Sequence, residues 1–373
     1  MAGLEEKLCP VCFQEAMEHG ECRNCGYHAE ESSAVKDYLA PFTILKEKYL
    51  LGKSLGQGGF GITYLAENMQ SGLRCCIKEY FPSGLLQGRT PDGALILADE
   101  ENRPEYEEGK QQFIEEACAL QELRENISVV DILDFFEENG TAYFAMELIE
   151  GCNLRVFRKN HNPKQTLKMA LQMLFLLGSS LAEVHRFGMI HGDISPENIL
   201  ITQDGEIKLI DFGAARSFRQ GSDNKERKIY LKPNYAPYEQ YTQKPCQGPW
   251  TDIYALAATF YFIVSGRKML DALSRAKGAS YPPLHELCPA VSRQLSDVID
   301  KALAFDYHDR YRRMLDFLDA LEQVVRPEDY DIDLGALMPK SKASKQAEIH
   351  VETSDDSEKM CQVEEQNMPE PVS

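Results

Sequence analysis

The sequence has no apolar run long enough to read as a membrane span. Its most apolar stretch, around Met169–Leu177, is interrupted by Gln172 and followed at once by Gly178, Ser179 and Ser180. A bilayer requires about 20 consecutive apolar residues, so a buried helix is expected there instead. The opening residues, MAGLEEK, offer neither a basic n-region nor an apolar stretch behind it, and no leader peptide is expected. Positive charge is also scarce: 40 Lys and Arg stand against 59 Asp and Glu, a net charge of −19. A chain of that sign repels phosphate backbones and anionic lipid, so neither nucleic acid nor a membrane is an expected partner. A cytoplasmic location is the expectation. Internal repeats are missing. Core material is not: hydrophobic residues make up 43% of the 373. That excludes wholesale disorder and suits a folded unit of about 250–300 residues with appendages.

Structural disulfides are not expected among the eleven cysteines, four of which fall within the first 25 residues. Cys9-Pro-Val-Cys12 and Cys22-Arg-Asn-Cys25 form two CxxC pairs. Two such knuckles offer four thiolates to one tetrahedral Zn²⁺, and a closed four-cysteine shell is structural because no ligand position stays open. So short a segment buries too little to fold alone, and metal binding would supply its folding energy. Residues 1–28 are therefore expected to be a zinc ribbon, able to serve as a contact for a protein partner. Residues 29–47 read as a polar linker. From 48 to 326 strand-like and helix-like stretches alternate. The remainder, 327–373, is polar and acidic, and is expected to be a disordered tail.

Between two strand-like stretches lies Gly56-Gln57-Gly58-Gly59-Phe60-Gly61. A glycine loop that joins strand to strand can form a flap whose backbone N–H groups approach phosphate, since no Cβ intervenes; a dinucleotide loop would feed a helix. A second apolar strand, Cys75-Cys76-Ile77, ends in Lys78. Further on come His191-Gly192-Asp193-Ile-Ser195-Pro-Glu-Asn198 and Asp211-Phe212-Gly213. Taken in order and at this spacing, these motifs make residues 48–326 resemble the protein kinases of the eukaryotic-like Ser/Thr type found in bacteria.

The resemblance implies an α+β, bilobal fold. An N-lobe (48–150), a small antiparallel sheet with one helix, would sit on a larger helical C-lobe (151–326), with ATP between them. The glycine flap and Lys78 would hold the nucleotide's phosphates. Lys78 needs a carboxylate, and Glu115 and Glu116 lie on a helix-patterned stretch (107–125); the family pattern points to Glu116. Met146 would be the gatekeeper, and Glu147 to Ile149 the hinge that reads adenine. Asp193 would orient the substrate hydroxyl, while Asn198 and Asp211 would hold Mg²⁺, a hard ion suited by oxygen ligands. Glu239 would pair with Arg310, and Asp252 would brace the catalytic loop. His191 reads as a packing residue rather than a base.

Three departures stand out. Gly192 replaces the Arg that usually precedes the catalytic Asp and grips a phosphate on the activation loop, so activity is expected not to depend on phosphorylation of that loop. Ser195 replaces a Lys that normally contacts the γ-phosphate, while Lys232 stands where a Thr is usual. The two would have exchanged places, restoring the cation from the activation segment. Residues 82–108 form an insert with a turn signal at Thr90-Pro-Asp-Gly93, expected as a surface flap near the helix.

The implied function is transfer of the ATP γ-phosphoryl group to Ser or Thr of protein substrates. Gly192 and Ser195 keep open a pseudokinase, an ATP-binding scaffold acting through its ribbon. A small-molecule kinase sharing the fold fits less well, because Ala236-Pro-Tyr-Glu239 and six Lys/Arg within 214–232 suit a protein substrate. The negative charge lies in the appendages: −5 in residues 1–47, −5 in the insert and −8 in 327–373, leaving −1 for the rest.

Overall fold

The computed structural model describes residues 7–29, 37–58, 61–123, 126–212, 216–217, 231–242 and 246–338. Gly59, Phe60 and Gly213, together with most of the activation segment and the tail beyond Met338, lie outside these. The chain divides into two compact units, one of residues 1–122, 131–148 and 342–373, the other of 123–130 and 149–341.

The first unit opens with a short hairpin, β1 (Met17–Glu18) and β2 (Glu21–Cys22), inside the cysteine-bearing ribbon. Next come β3 (Ile44–Leu45), β4 (Tyr49–Gln57), β5 (Gly61–Asn68) and β6 (Leu73–Tyr80), a hairpin β7 (Leu86–Arg89) and β8 (Leu95–Leu97), helix α1 (Arg103–Glu122), β9 (Ile132–Glu138) and β10 (Thr141–Glu147). Six of these strands form an antiparallel sheet in the order β3-β4-β5-β6-β10-β9. Strand β6 is central and buried on both faces from Cys75 to Tyr80. On α1, Tyr106, Phe113, Ile114, Ala117 and Leu120 are buried, the apolar stripe that spacings of three and four dictate.

Two boundaries differ from expectation. The linker is not free chain throughout: Leu39 and Leu45 are buried in a core with Tyr49, Leu51, Tyr64, Ile77 and Tyr143, and β3 pairs with β4. A few apolar residues decided this, against a polar average. Residues 82–108 are a hairpin whose Leu86 and Leu95 pack on the same core, plus the first turns of α1. Arg89 fixes the hairpin. It donates to Glu79 Oε2 at 2.5 Å, to the Asp37 carbonyl at 2.6 Å and to the Gly93 carbonyl at 3.0 Å. Glu79, fully buried, also accepts from Tyr64 Oη at 3.0 Å and Tyr143 Oη at 2.8 Å. The insert thus covers the sheet rather than flanking the helix.

The second unit comprises β11 (Gly151–Asn153), α2 (Leu154–Asn160), α3 (Pro163–Arg186), β12 (Met189–Ile190), β13 (Ile199–Thr202), β14 (Ile207–Leu209), β15 (Arg216–Ser217), α4 (Pro249–Ser265), α5 (Ala272–Ala276), α6 (Leu284–Leu287), α7 (Arg293–Ala302), α8 (Met314–Glu322) and α9 (Pro327–Tyr330). Asn162 and Gln165 form a capping box at the start of α3, with Pro163 as its first residue. Against the expectation from its interrupted apolar stretch, α3 as a whole is long and apolar enough to cross a membrane, because its flanking turns extend the apolar face; it buries Met169, Met173, Leu177 and Leu181, among others, and packs on α4 and α8. The acidic composition after Pro327 hides a folded segment. Leu334 is 2% and Met338 6% exposed, Tyr330 stacks on Phe175, and Lys168 donates to the carbonyls of Glu328 and Asp331. Residues 327–338 therefore belong to the helical unit and are not part of a disordered tail.

Candidate active site

In the first unit, β4 and β5 bracket the glycine loop, as the strand-to-strand pattern predicts. Gly58 N–H donates to the Gly61 carbonyl at 2.8 Å, closing the loop tightly. A Cβ on Gly61 would lie 2.6 Å from the Glu79 carbonyl, so only glycine fits where β5 begins against the strand that carries Lys78. Lys78, 9% exposed, points its ammonium toward Glu116 on α1 at 3.8 Å and lies over the Phe144 ring, 5.4 Å from its centroid. Glu115 is exposed on the same helix and pairs locally with Gln111. Of Glu115 and Glu116, Glu116 is the one beside Lys78. Met146 is half-buried opposite Cys76. The Glu147 carboxylate accepts from Asp131 N–H at 2.9 Å, which holds its side chain back.

In the second unit, the loop between β12 and β13 carries Asp193, Ser195 and Asn198. Its backbone hangs on Asp252 of α4, which is fully buried and accepts from His191 N–H at 2.8 Å, Gly192 N–H at 2.9 Å and His185 Nε2 at 2.9 Å. Burial pushes the Asp252 carboxyl up, but these donors outweigh it and hold the pKa below its ordinary 3.8. Gly192 has φ +76°, a conformation that costs glycine nothing, and its carbonyl accepts from Gln240 Nε2 at 2.8 Å. His191 is fully buried. Its Nδ1 accepts from Asp193 N–H at 3.2 Å, its Nε2 donates to the Ile210 carbonyl at 3.2 Å, and its ring lies 4.4 Å from Phe212. Both nitrogens are committed and burial lowers the pKa, so the ring is a neutral spacer.

Asn198 Nδ2 donates to Asp193 Oδ2 at 2.8 Å and to the Asp193 carbonyl at 2.9 Å. These bonds fix the aspartate and leave Asn198 Oδ1 as the oxygen that could meet a cation. Asp211 follows β14 with φ +64°, left-handed and unusual for a non-glycine residue. Phe212, 1% exposed, anchors it. Asp211 is thus turned away from the regular strand path while its neighbour is held in the core. Lys232 Nζ donates to Ser195 Oγ at 2.8 Å and stands 2.9 Å from Asp193 Oδ2. Burial holds the Asp193 carboxyl above its ordinary 3.8, against the pull of Lys232. Arg310 and Glu239 form a buried pair with bonds of 2.7 and 3.1 Å, which ties the Ala-Pro-Tyr-Glu segment down. Ile149 is partly buried just before β11.

The ribbon brings Cys9, Cys12, Cys22 and Cys25 together, all four Sγ atoms within 4.8 Å of one another. The Cys9–Cys25 and Cys12–Cys22 separations are 3.6 Å. A tetrahedron built on Zn–S bonds of about 2.3 Å has edges of about 3.8 Å, whereas a disulfide would need about 2.05 Å. The donor set fits a zinc ion.

Sequence reasoning missed Gln240, which steadies Gly192, and His185, which shares Asp252. Both are long-range partners with no local signal. It also missed Arg155, paired with Glu197 inside the catalytic-loop motif.

Residues 49–319 match the protein kinase domain family. Serine/threonine-protein kinase F of Synechocystis sp. is 31% identical over 286 residues, covering 72% of this chain and 53% of that protein. Serine/threonine-protein kinase PknA of Nostoc sp. is 29% identical over 289 residues, covering 75% and 48%. The solved PpkA-294 apo form is 34% identical with a TM-score of 0.64, covering 77% of this chain and 100% of that one. The chain spans about half the length of the curated relatives it matches. With the ordered motifs and the braced catalytic loop, this match makes the chain a member of the protein kinase family.

Proposed function

We propose that the protein is an ATP-dependent serine/threonine protein kinase whose γ-phosphate cation comes from Lys232. The observation that carries this is the contact of Lys232 with both Ser195 and Asp193. Asp193 takes the hydrogen bond of the substrate hydroxyl and orients its oxygen for in-line attack. Lys232 meets the negative charge that builds on the moving phosphoryl group, and its link to Ser195 keeps it in place when substrate is absent. Lys78, held by Glu116, and the flap of Gly56, Gln57, Gly58, Gly59, Phe60 and Gly61 take the phosphates. Glu147 and Ile149 supply backbone groups to adenine. Asn198 and Asp211 would hold Mg²⁺, which offsets phosphate charge when bound. Gly192 carries no side chain to grip a loop phosphate, so activity does not wait on phosphorylation of Ser217, Ser222 or Tyr230. Four thiolates would hold a structural Zn²⁺, and the ribbon offers a face to a protein partner in the cytoplasm.

Incubation of the purified full chain with [γ-³²P]ATP and generic acceptors tests the reading. Label is expected on protein, as phosphoserine and phosphothreonine, and not on aminoglycosides or choline. Binding of ATP with no transfer to any acceptor would favour the scaffold reading, which Gly192 and Ser195 motivate.

A further inference from the structure

The ribbon is seated on the strand that feeds the glycine flap. Lys53 N–H, on β4, donates to the Pro10 carbonyl at 2.9 Å. The chain at and just before β3 serves the outer edge of β4 as far as Leu51, whose N–H donates to the Thr43 carbonyl at 2.8 Å and whose carbonyl accepts from Phe42 N–H at 2.7 Å; the next outward N–H, that of Lys53, needs another acceptor, and Pro10 supplies it. Gly52 lies beneath the knuckle. A Cβ there would collide with the Pro10 carbonyl and come within 2.8 Å of Phe13 Cζ. Phe13 is 6% exposed, and Lys53 Nζ lies 5.9 Å from the centre of the Tyr27 ring. Pro10 sits between two of the four cysteines, so the cysteine cluster sets the shape of the loop that grips β4. Three residues beyond Lys53, about 10 Å along a strand, Gly56 begins the flap. Leu55 between them is 45% exposed. Pro10 is thus the last backbone brace on the outer edge of β4 among the described residues.

We infer that the cysteine ribbon is a clasp on β4, with Pro10, Phe13 and Gly52 as positioning residues for the glycine flap, and that metal occupancy of the ribbon and nucleotide affinity at the flap are thermodynamically linked. This rests on the proposed reading that the four thiolates hold zinc and the flap holds ATP phosphates. With the cluster filled, the knuckle keeps its shape and β4 stays pinned. With it empty, the knuckle loosens, β4 frays at its outer edge, and Gly56, Gln57 and Gly58 at its end lose the placement from which backbone N–H groups reach phosphate. Linkage is reciprocal: nucleotide must tighten zinc by the factor that zinc tightens nucleotide.

The test uses the full chain with and without a zinc chelator, and the variants Gly52→Ala and Phe13→Ala, which leave every cysteine in place. Measured together are bound zinc, the Kd of a fluorescent ATP analogue, hydrogen exchange over residues 49–57, and KM for ATP against kcat. In the wild type, removing zinc is expected to raise the nucleotide Kd about tenfold and to speed exchange in β4, and saturating nucleotide is expected to raise zinc affinity by the same factor. Gly52→Ala should keep one zinc per chain, show the weakened nucleotide binding already, raise KM with kcat little changed, and respond no further to the chelator. Phe13→Ala should do the same in smaller measure, and a thermal melt of each variant checks that the fold is intact. Zinc that leaves with no change in nucleotide Kd or β4 exchange overturns the linkage. Unchanged affinity in both variants overturns the clasp. A chain that binds no zinc, yet loses nucleotide affinity on Gly52→Ala, refutes the zinc reading and supports the clasp.

Discussion

Replacing Lys232 by Met removes one ammonium and keeps most of the side-chain volume. The ammonium lies 2.8 Å from Ser195 Oγ and 2.9 Å from Asp193 Oδ2, within charge-assisted hydrogen-bond range of both. Its side chain is 33% exposed, so water screens it and the lower end of the range for a lost transition-state donor applies. That is about 10²-fold in kcat, or about 2.7 kcal/mol of barrier. Nucleotide Kd should stay within about twofold, because charge that develops in the transition state is absent from the ground state. The pH profile should move as well. Burial raises the Asp193 carboxyl and Lys232 lowers it, so taking Lys232 away must raise it further. The acidic limb of kcat/KM then shifts to higher pH, a change that mere misfolding would not produce. Because Ser195 and Lys232 are read as exchanged, Ser195→Lys combined with Lys232→Thr should recover most of the loss caused by Lys232→Thr alone. Steady-state transfer from [γ-³²P]ATP to a protein acceptor measures all of this. A Lys232→Met enzyme with unchanged kcat and an unmoved acidic limb would rule out a transition-state role for the Lys232 ammonium.

Other expectations follow from buried charge. Arg310→Ala strands Glu239, and chemical denaturation should show a loss of about 3–5 kcal/mol. Arg89→Met leaves Glu79 with only tyrosine donors, and a loss of about 3 kcal/mol on the same scale is expected, with the insert hairpin exchanging amide hydrogens faster. Asp252 has a lowered pKa, so its stabilisation is in place above its ordinary 3.8 and is lost as pH falls through the lower folded value. Asp252→Asn should therefore be less stable at neutral pH and show a weaker dependence of stability on pH across that acidic window, followed by acid titration of the far-ultraviolet signal.

The catalytic motifs were legible because each is short and its residues meet locally. Asn198 reaches back to Asp193 within one loop, and the two CxxC pairs meet within the ribbon. The Lys232–Ser195 contact spans 37 residues and was still legible, because two departures from one pattern compensated each other. The family pattern singled out Glu116 over Glu115, and helical phase is the physical reason: the two neighbours face different ways on α1. What stayed hidden depends on long-range burial. Nothing near Arg89 announces a partner at Glu79, and nothing near Gly52 announces the ribbon above it. Average polarity concealed Leu39 and Leu45 in the linker and Leu334 and Met338 after Pro327, since one or two apolar anchors suffice to dock a polar segment. Gly59, Phe60, Gly213, Ser222 and Tyr230 lie outside the described residues.

Phosphoryl transfer by this chain should depend on Asp193. Single-turnover transfer from [γ-³²P]ATP to a serine- and threonine-bearing protein, at saturating nucleotide, compares the wild type with Asp193→Asn. The expected result is rapid labelling by the wild type and a rate lower by about 10³-fold in the variant, with the nucleotide still bound. Equal labelling by the two proteins, or none by a wild type that binds ATP, would contradict it.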